Sequence, residues 1–418
     1  MKTINILFIH PNFPGQFKAL LHDLVAVPNA KVAFITRHPN ATMEGVDIHR
    51  YVLPEEAGDG SQNTTHVLLR GANANLFETH EVTKTALQLK EKNAFIPHVV
   101  IGHIGWSGTL FIKDVFPSTK VIGYCEWFYR PETSWEYFCA NAESHTNAEQ
   151  VLSLEQRTRI RMQNVSATLC LESMDVGVSP MLWQRSVHPK AHQNRIEVIH
   201  EGIDTDLCKP YEQDDLNIPG AKLGKTEKIV TFISRSLEPA RGFFTFMEAV
   251  EKLCKMDKNV QFVVVGRERS AYSVSTGEGP SYKQQAMDKY DCDWSRVHFT
   301  GKLSYEHYLT VLRNSSVHVY LSSPLFLSWS LLEAMSTACS IVSSNNAPVN
   351  EVIEHDVTGR LVSFFDADEL AKQVDDLLRD RAAALRLGQA ARDLVIERYD
   401  QKKCVKEWKQ LILRTIQE

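Results

Sequence analysis

Short apolar runs alternate with longer stretches of helical period from one end of this chain to the other. Runs of four to eight apolar residues bounded by turn residues predict strands buried on both faces, and the amphipathic stretches between them predict covering helices. In the first half the predicted strands are Ile4–Ile9, Val32–Thr36, His98–His103, Val121–Cys125, Thr168–Leu171 and Ile196–His200. Helices are predicted at Gln16–Leu24, Ala74–Lys92, Ser107–Val115 and Leu152–Asn164. The second half repeats the pattern, with strands at Ile229–Ile233, Gln261–Val265, Val297–Thr300, Val317–Leu321, Ser340–Ser343 and Arg360–Phe364. Its helices are Phe243–Lys255, Tyr305–Asn314, Leu331–Thr337 and Glu369–Leu378. The expected class is therefore α/β, with two Rossmann-like domains of parallel strands.

At 418 residues the chain exceeds what one hydrophobic core serves. The polar stretch Asp204–Lys228, with Pro210, Pro219, Gly220 and Gly224, is the expected linker. Residues 1–205 then form an N-terminal domain and 206–398 a C-terminal one. The chain closes with helices Ala382–Tyr399 and Lys403–Ile416; Trp408, Leu411 and Ile412 form an apolar stripe on the second. Residues 399–418 are thus expected to cross back onto the first domain. Arg267–Asp293 is the longest polar insertion and reads as a mobile loop.

Composition narrows the function. A net charge of −5, with no basic run longer than Lys402-Lys403, gives no field for nucleic acid. Eight scattered cysteines without a Cys-x-x-Cys pair argue against zinc and against a disulfide scaffold, so a reducing cytoplasm is expected. No window reaches the roughly 18 apolar residues of a membrane span. Any membrane contact would be peripheral, and homo-oligomerisation is left open.

In open α/β sheets ligands bind beyond the carboxyl ends of the strands, and the chemistry-bearing residues cluster there. His10–Phe17 follows the first strand with a single Gly15, without the Gly-x-Gly-x-x-Gly of a nicotinamide fold. Gly15 either lets the backbone approach a ligand or makes a plain tight turn. His103 ends a strand among Gly102, Gly105 and Gly108, as a ligand-facing or a structural histidine. Glu126, Trp106 and Tyr129 suit stacking on a sugar or acceptor, or else pack an inner wall. After the first strand of the second half stand Arg235 and Arg241, both expected on an exposed turn, whose forked guanidiniums neutralise phosphate oxygens. Gly242 lets the next helix start close by. Ser322 and Ser328 place hydroxyls at a strand-to-helix turn, and Glu333 is a carboxylate inside an apolar run that needs a partner. It could accept ribose hydroxyls or sit in an internal ion pair. Asp291-Cys292-Asp293 is read as a chance Asp-x-Asp in a polar loop.

Together His10–Phe17, His103–Gly108, His200–Thr205, Arg235–Arg241 and Ser328–Met335 resemble the retaining family 4 glycosyltransferases of GT-B fold, in particular a bacterial branch that opens with His-Pro-Asn-Phe-Pro-Gly-Gln-Phe. The resemblance implies two Rossmann-like domains facing each other across a cleft. It implies a nucleoside diphosphate sugar, with UDP the expected nucleotide, and a glycan, lipid or small-molecule acceptor. No metal or cofactor is expected, because the nucleotide sugar is a substrate. The donor residues it implies are Gly15, Arg235, Arg241, Glu333, Ser328, Ser322, Gly266, Asn346, Ala347 and Pro348, with His103 on the transferred sugar. One departure stands out: of the family's Glu-x7-Glu only the second member, Glu333, is kept, and Leu325 occupies the first position. That departure favours a competing expectation, a non-catalytic GT-B subunit supporting a partner enzyme.

Overall fold

Seven parallel strands build the first sheet: β1 Ile4–Ile9, β2 Ala30–Thr36, β3 Val46–Arg50, β4 Val99–His103, β5 Lys120–Tyr124, β6 Val176–Ser179 and β7 Ile196–Val198. Their order is β3-β2-β1-β4-β5-β6-β7. The second sheet holds six, also parallel: β8 Lys228–Ser236, β9 Val260–Arg267, β10 Val297–Gly301, β11 Val317–Tyr320, β12 Ile341–Ser344 and β13 Arg360–Val362. Their order is β10-β9-β8-β11-β12-β13. Both are doubly wound Rossmann-like sheets, seen in a computed structural model that describes residues 3–54, 66–106, 108–141, 148–211, 217–221, 223, 228–268, 279–325 and 327–417. The chain divides into two units, Met1–Gly202 with Gln401–Glu418, and Ile203–Asp400.

In the first unit the sheet is sandwiched. One face packs Leu7, Ile35, Val100 and Val121 against Val82, Ala86, Leu89, Cys170 and Leu171 of the helices Arg70–Asn93 and Val165–Ser173. The other packs Phe8, Phe34, Ile101 and Tyr124 against Phe17, Leu21, Trp408, Leu411 and Ile412. The last three belong to the helix Gln401–Gln417, so the apolar stripe of the terminal helix covers the first unit's sheet as expected. In the second unit Ile203 bridges to Asp400 and the Thr205 hydroxyl donates to the Asp400 carboxylate at 2.6 Å. The unit boundary therefore falls just ahead of the polar stretch expected as linker, part of which lies outside the described residues.

Three expectations need correction. Thr168–Leu171 is not a strand but the middle of the helix Val165–Ser173, and the edge-side strand is Val176–Ser179. A four-residue apolar run carries no period to separate the two. The helix expected at Ser107–Val115 is confined to Ile112–Val115, and Ser107 lies outside the described residues. The polar insertion expected as a loop contains the helix Tyr282–Lys289, capped by the Ser281 hydroxyl accepting from the Gln284 N–H, while residues 269–278 lie outside those described.

Buried histidines set the response to acid. Burial lowers His10, His200 and His318 to about 3 and His188 to about 4, so all four are neutral in the native state at neutral pH. Nε2 of His10, His188 and His318 is buried without a hydrogen-bond partner, where a proton would leave an isolated charge. The unfolded chain takes up these protons near pH 6.5 and the native one does not, so stability falls as pH drops below 6.5 and is lost progressively toward pH 3. Between pH 6.5 and 5.5 the expected loss is about 1 kcal/mol per histidine. Urea midpoints measured across that range should fall, and a flat profile would show that these rings titrate normally in the native state.

Candidate active site

β8 runs into a turn that carries both arginines. Arg235 lies within the strand's last residues and is exposed, where a register shift between Ile233 and Ser236 interrupts the pairing with β9. Arg241 ends the short helical turn Pro239–Arg241 and is only 7% exposed, which corrects the expectation that both arginines sit on an exposed turn. It is anchored, with Nη1 donating to Ser322 Oγ at 3.0 Å. Gly242 follows at φ +72°, and a Cβ there would lie 2.3 Å from Leu321 Cβ, so only glycine turns the chain into the helix Phe243–Met256 at this approach.

Ser322 follows β11, the strand on the opposite side of β8 from β9. These three strands form the switch point of the second sheet, where the connections change direction. Around Ser322 the polar groups are tied together. Its N–H donates to Ser344 Oγ at 3.2 Å, and its carbonyl accepts from Ser344 Oγ at 3.0 Å and Asn346 Nδ2 at 2.6 Å. Asn346 caps the turn Ala347–Asn350, where Ala347 is exposed and Pro348 buried. Ser328 caps the helix Trp329–Ser336 and bonds to Ser330 Oγ at 2.9 Å. Gly266 lies inside β9, where a Cβ would meet Ser234 O and Leu237 at 2.8 Å, so its missing side chain is required by the neighbouring strand. Glu333 has its partners: Tyr305 and Tyr308 each donate to one of its oxygens. Asp293 accepts from the Ser295 N–H and hydroxyl and from Arg296 Nε, so it caps the turn Trp294–Arg296.

The first unit places His10, His103 and Glu126 together at its own switch point, where β1 and β4 adjoin. Gly105 N–H donates to His103 Nδ1 at 3.0 Å, which leaves the ring proton on Nε2 to donate to Glu126 Oε2 at 2.9 Å. Glu126 Oε1 accepts from Gln16 Nε2 at 3.3 Å. Burial works against the charge of Glu126, but the hydrogen bond and electrostatic interaction with His103, joined by the hydrogen bond from Gln16, outweigh it and hold its carboxyl below the usual range. The His10 ring stands 5.6 Å from that of His103, edge to face. Gly15 adopts φ +59°, and a Cβ on it would meet the His10 ring at 3.0 Å, so this glycine makes room for a histidine.

Trp106 is 38% exposed and Tyr129 46% exposed. The Tyr129 backbone is clamped by Asn164, whose Oδ1 accepts from its N–H at 2.8 Å and whose Nδ2 donates to its carbonyl at 2.7 Å. Sequence reasoning missed Gln16, Tyr305 and Tyr308 as contributors. The i, i+3 spacing of the two tyrosines on one helix face was their only local signal.

Two doubly wound parallel sheets, each with polar side chains gathered beyond the strand ends at its switch point, define the class as two-domain nucleotide-fold proteins of GT-B type. Residues 28–208 match the glycosyl transferase family 4 group and residues 214–394 match glycosyl transferases group 1. The chain belongs to the GT-B glycosyltransferase family. It is similar to the alpha-maltose-1-phosphate synthase of Mycobacterium tuberculosis, 26% identical over 223 residues that make up 51% of this chain and 55% of the relative. The chain spans 31% to 55% of the length of the first curated relatives it matches. Among solved structures it resembles HepE of Anabaena in complex with UDP, with a TM-score of 0.68 at 14% identity over 99% of this chain and 100% of that one. It also resembles the sucrose-phosphate synthase of Thermosynechococcus elongatus, with a TM-score of 0.67 at 17% identity over 98% of each chain. Among the described residues no helix is long and apolar enough to cross a membrane.

Proposed function

We propose that the protein transfers a sugar from a nucleoside diphosphate sugar, a UDP-sugar, to an acceptor hydroxyl with retention of anomeric configuration. The observation that carries this reading is the anchored Arg241 at the switch point of the second sheet, with exposed Arg235 on the same strand-to-turn segment. A guanidinium fixed by a hydrogen bond needs little reorganisation when charge develops on a departing diphosphate. The UDP bound by HepE of Anabaena supports the choice of nucleotide. In the reaction the bond between the sugar's C1 and the diphosphate oxygen breaks, and the acceptor oxygen bonds to C1 on the same face. The acceptor's proton passes to a departing phosphate oxygen, so no protein nucleophile is required. Arg235 and Arg241 meet the diphosphate charge, Glu333 the ribose, and Asn346, Ala347 and the Ser322 and Ser328 turns the rest of the donor. His103 serves the transferred sugar, with Gly15 leaving room for the His10 ring packed beside it; Glu126, Trp106 and Tyr129 serve a glycan, lipid or small-molecule acceptor.

The test is to incubate purified protein with UDP-sugars and with glycan, lipid and small-molecule acceptors, following UDP release and product mass. Glycosylated product is expected, and its yield is expected to be unchanged by a chelator, since the arginines rather than a metal carry the phosphate charge. Strict dependence on added manganese would overturn the metal-free part of the reading. Leu325, where the wider family has a glutamate, favours a second reading as a non-catalytic subunit. Tight UDP binding without turnover of any UDP-sugar, together with a copurifying active partner, would establish it in place of the first.

A further inference from the structure

Glu333 projects from the helix Trp329–Ser336, and both of its oxygens are engaged by phenols of a single neighbouring helix, Tyr305–Arg313. Tyr305 Oη donates to Oε1 at 2.7 Å and Tyr308 Oη donates to Oε2 at 2.6 Å. The two rings are stacked, with centroids 5.6 Å apart and planes 26° from parallel. Chemistry fixes the direction of these bonds, because an ionised carboxylate can only accept. Burial, and after it the charge of Glu333, push both phenols above their ordinary range, so they keep their protons. Tyr305 Oη also lies 3.3 Å from Cys208 Sγ. Burial raises that thiol to about 11, so it stays protonated and donates to the free lone pair of the phenol.

A carboxylate held at one oxygen can still rotate about its Cγ–Cδ bond; held at both, it cannot. A carboxylate offers about four lone-pair positions, and the tyrosines use one on each oxygen. One acceptor position therefore remains on each of two fixed oxygens, a spacing that suits a vicinal diol. We propose that Tyr305 and Tyr308 are positioning residues that make Glu333 a reader of the ribose 2′- and 3′-hydroxyls, so that the protein selects ribonucleotides over 2′-deoxyribonucleotides. This rests on the assignment of Glu333 to the donor ribose. Tyr305 is half exposed, so the device lies where a ligand can reach it.

Calorimetric titration with UDP and with 2′-deoxy-UDP tests the proposal, using the wild type, Tyr308→Phe, the double variant Tyr305→Phe with Tyr308→Phe, and Glu333→Gln. Phenylalanine keeps each ring and removes only its hydroxyl. The wild type is expected to prefer UDP by about 10- to 100-fold, the size of one hydrogen bond to a charged group. In the double variant the preference is expected to shrink to about threefold or less, because UDP loses two contacts to Glu333 while 2′-deoxy-UDP, with only its 3′-hydroxyl, loses one, and Tyr308→Phe is expected in between. If both affinities fall in parallel and the preference persists, the phenols serve only the fold and the proposal is overturned. Preference lost in Glu333→Gln but kept in the double tyrosine variant overturns the tyrosine role while leaving the ribose assignment standing. Equal wild-type affinity for the two nucleotides overturns the ribose assignment itself.

Discussion

Replacing Arg241 by alanine is expected to lower sugar transfer by about 10²- to 10³-fold, the range for removing one preorganised group that meets charge in the transition state. Arg241 is buried and donates to the Ser322 hydroxyl, which in turn donates to the Ser323 carbonyl at 3.0 Å. Its charge is thus held in place before any ligand arrives. Removing a buried, bonded arginine also disturbs the fold, so the variant is to be compared at a temperature below its own unfolding midpoint. Arg241→Lys separates the effects, since lysine keeps the charge but not the planar fork. Arg235 is exposed, and Arg235→Ala is expected to lower turnover with stability changed by no more than about 0.5 kcal/mol. Steady-state rates with a UDP-sugar check both, and full activity in both alanine variants would remove the diphosphate assignment.

Gly242→Ala is expected to cost the second unit about 2–4 kcal/mol, a loss at the upper end of single substitutions. Two causes combine: the backbone stands at φ +72°, and the new Cβ would lie 2.3 Å from Leu321 Cβ and 2.8 Å from Leu321 Cδ1. The neighbour cannot swing aside, because Leu321 is 2% exposed and its Cβ moves only with the backbone at the end of β11. Gly301 provides the control. It has φ +68° but nothing within 4 Å of where a Cβ would stand, so Gly301→Ala should suffer only the left-handed strain, about 1 kcal/mol. Calorimetric melting of the two variants checks this, and equal midpoints would show that the contact with Leu321 relaxes. Because Gly242 directly follows Arg241, transfer is expected to fall with stability in Gly242→Ala.

Most of the strands were legible along the chain, because a parallel strand buried on both faces must be apolar throughout and stands out between amphipathic helices. The crossing back of the last helix was legible for a similar reason: Trp408, Leu411 and Ile412 make a stripe that must be covered. The failures share a cause. Thr168–Leu171 and Val176–Ser179 are both short apolar runs, and only their neighbours decide that the first turns as a helix against β5 and the second pairs between β5 and β7. Tyr282–Lys289 is a helix in polar sequence, with Ala286 its one buried residue.

At the candidate site the sequence determined the residue types that follow each strand, since turn glycines, arginines and carboxylates are local choices. It did not determine their partners. His103 meets Glu126 because β4 pairs with β5, and Arg241 meets Ser322 because β8 lies beside β11 although two strands intervene in the chain. Likewise Glu333 meets Tyr305 and Tyr308 across two helices, and Gly15, open to reading as a ligand approach, makes room for the His10 ring. Strand order and helix packing place side chains within 3 Å that are 23 to 81 residues apart in sequence. Local periodicity carries no record of such pairings, so only the tertiary structure could decide which groups act together.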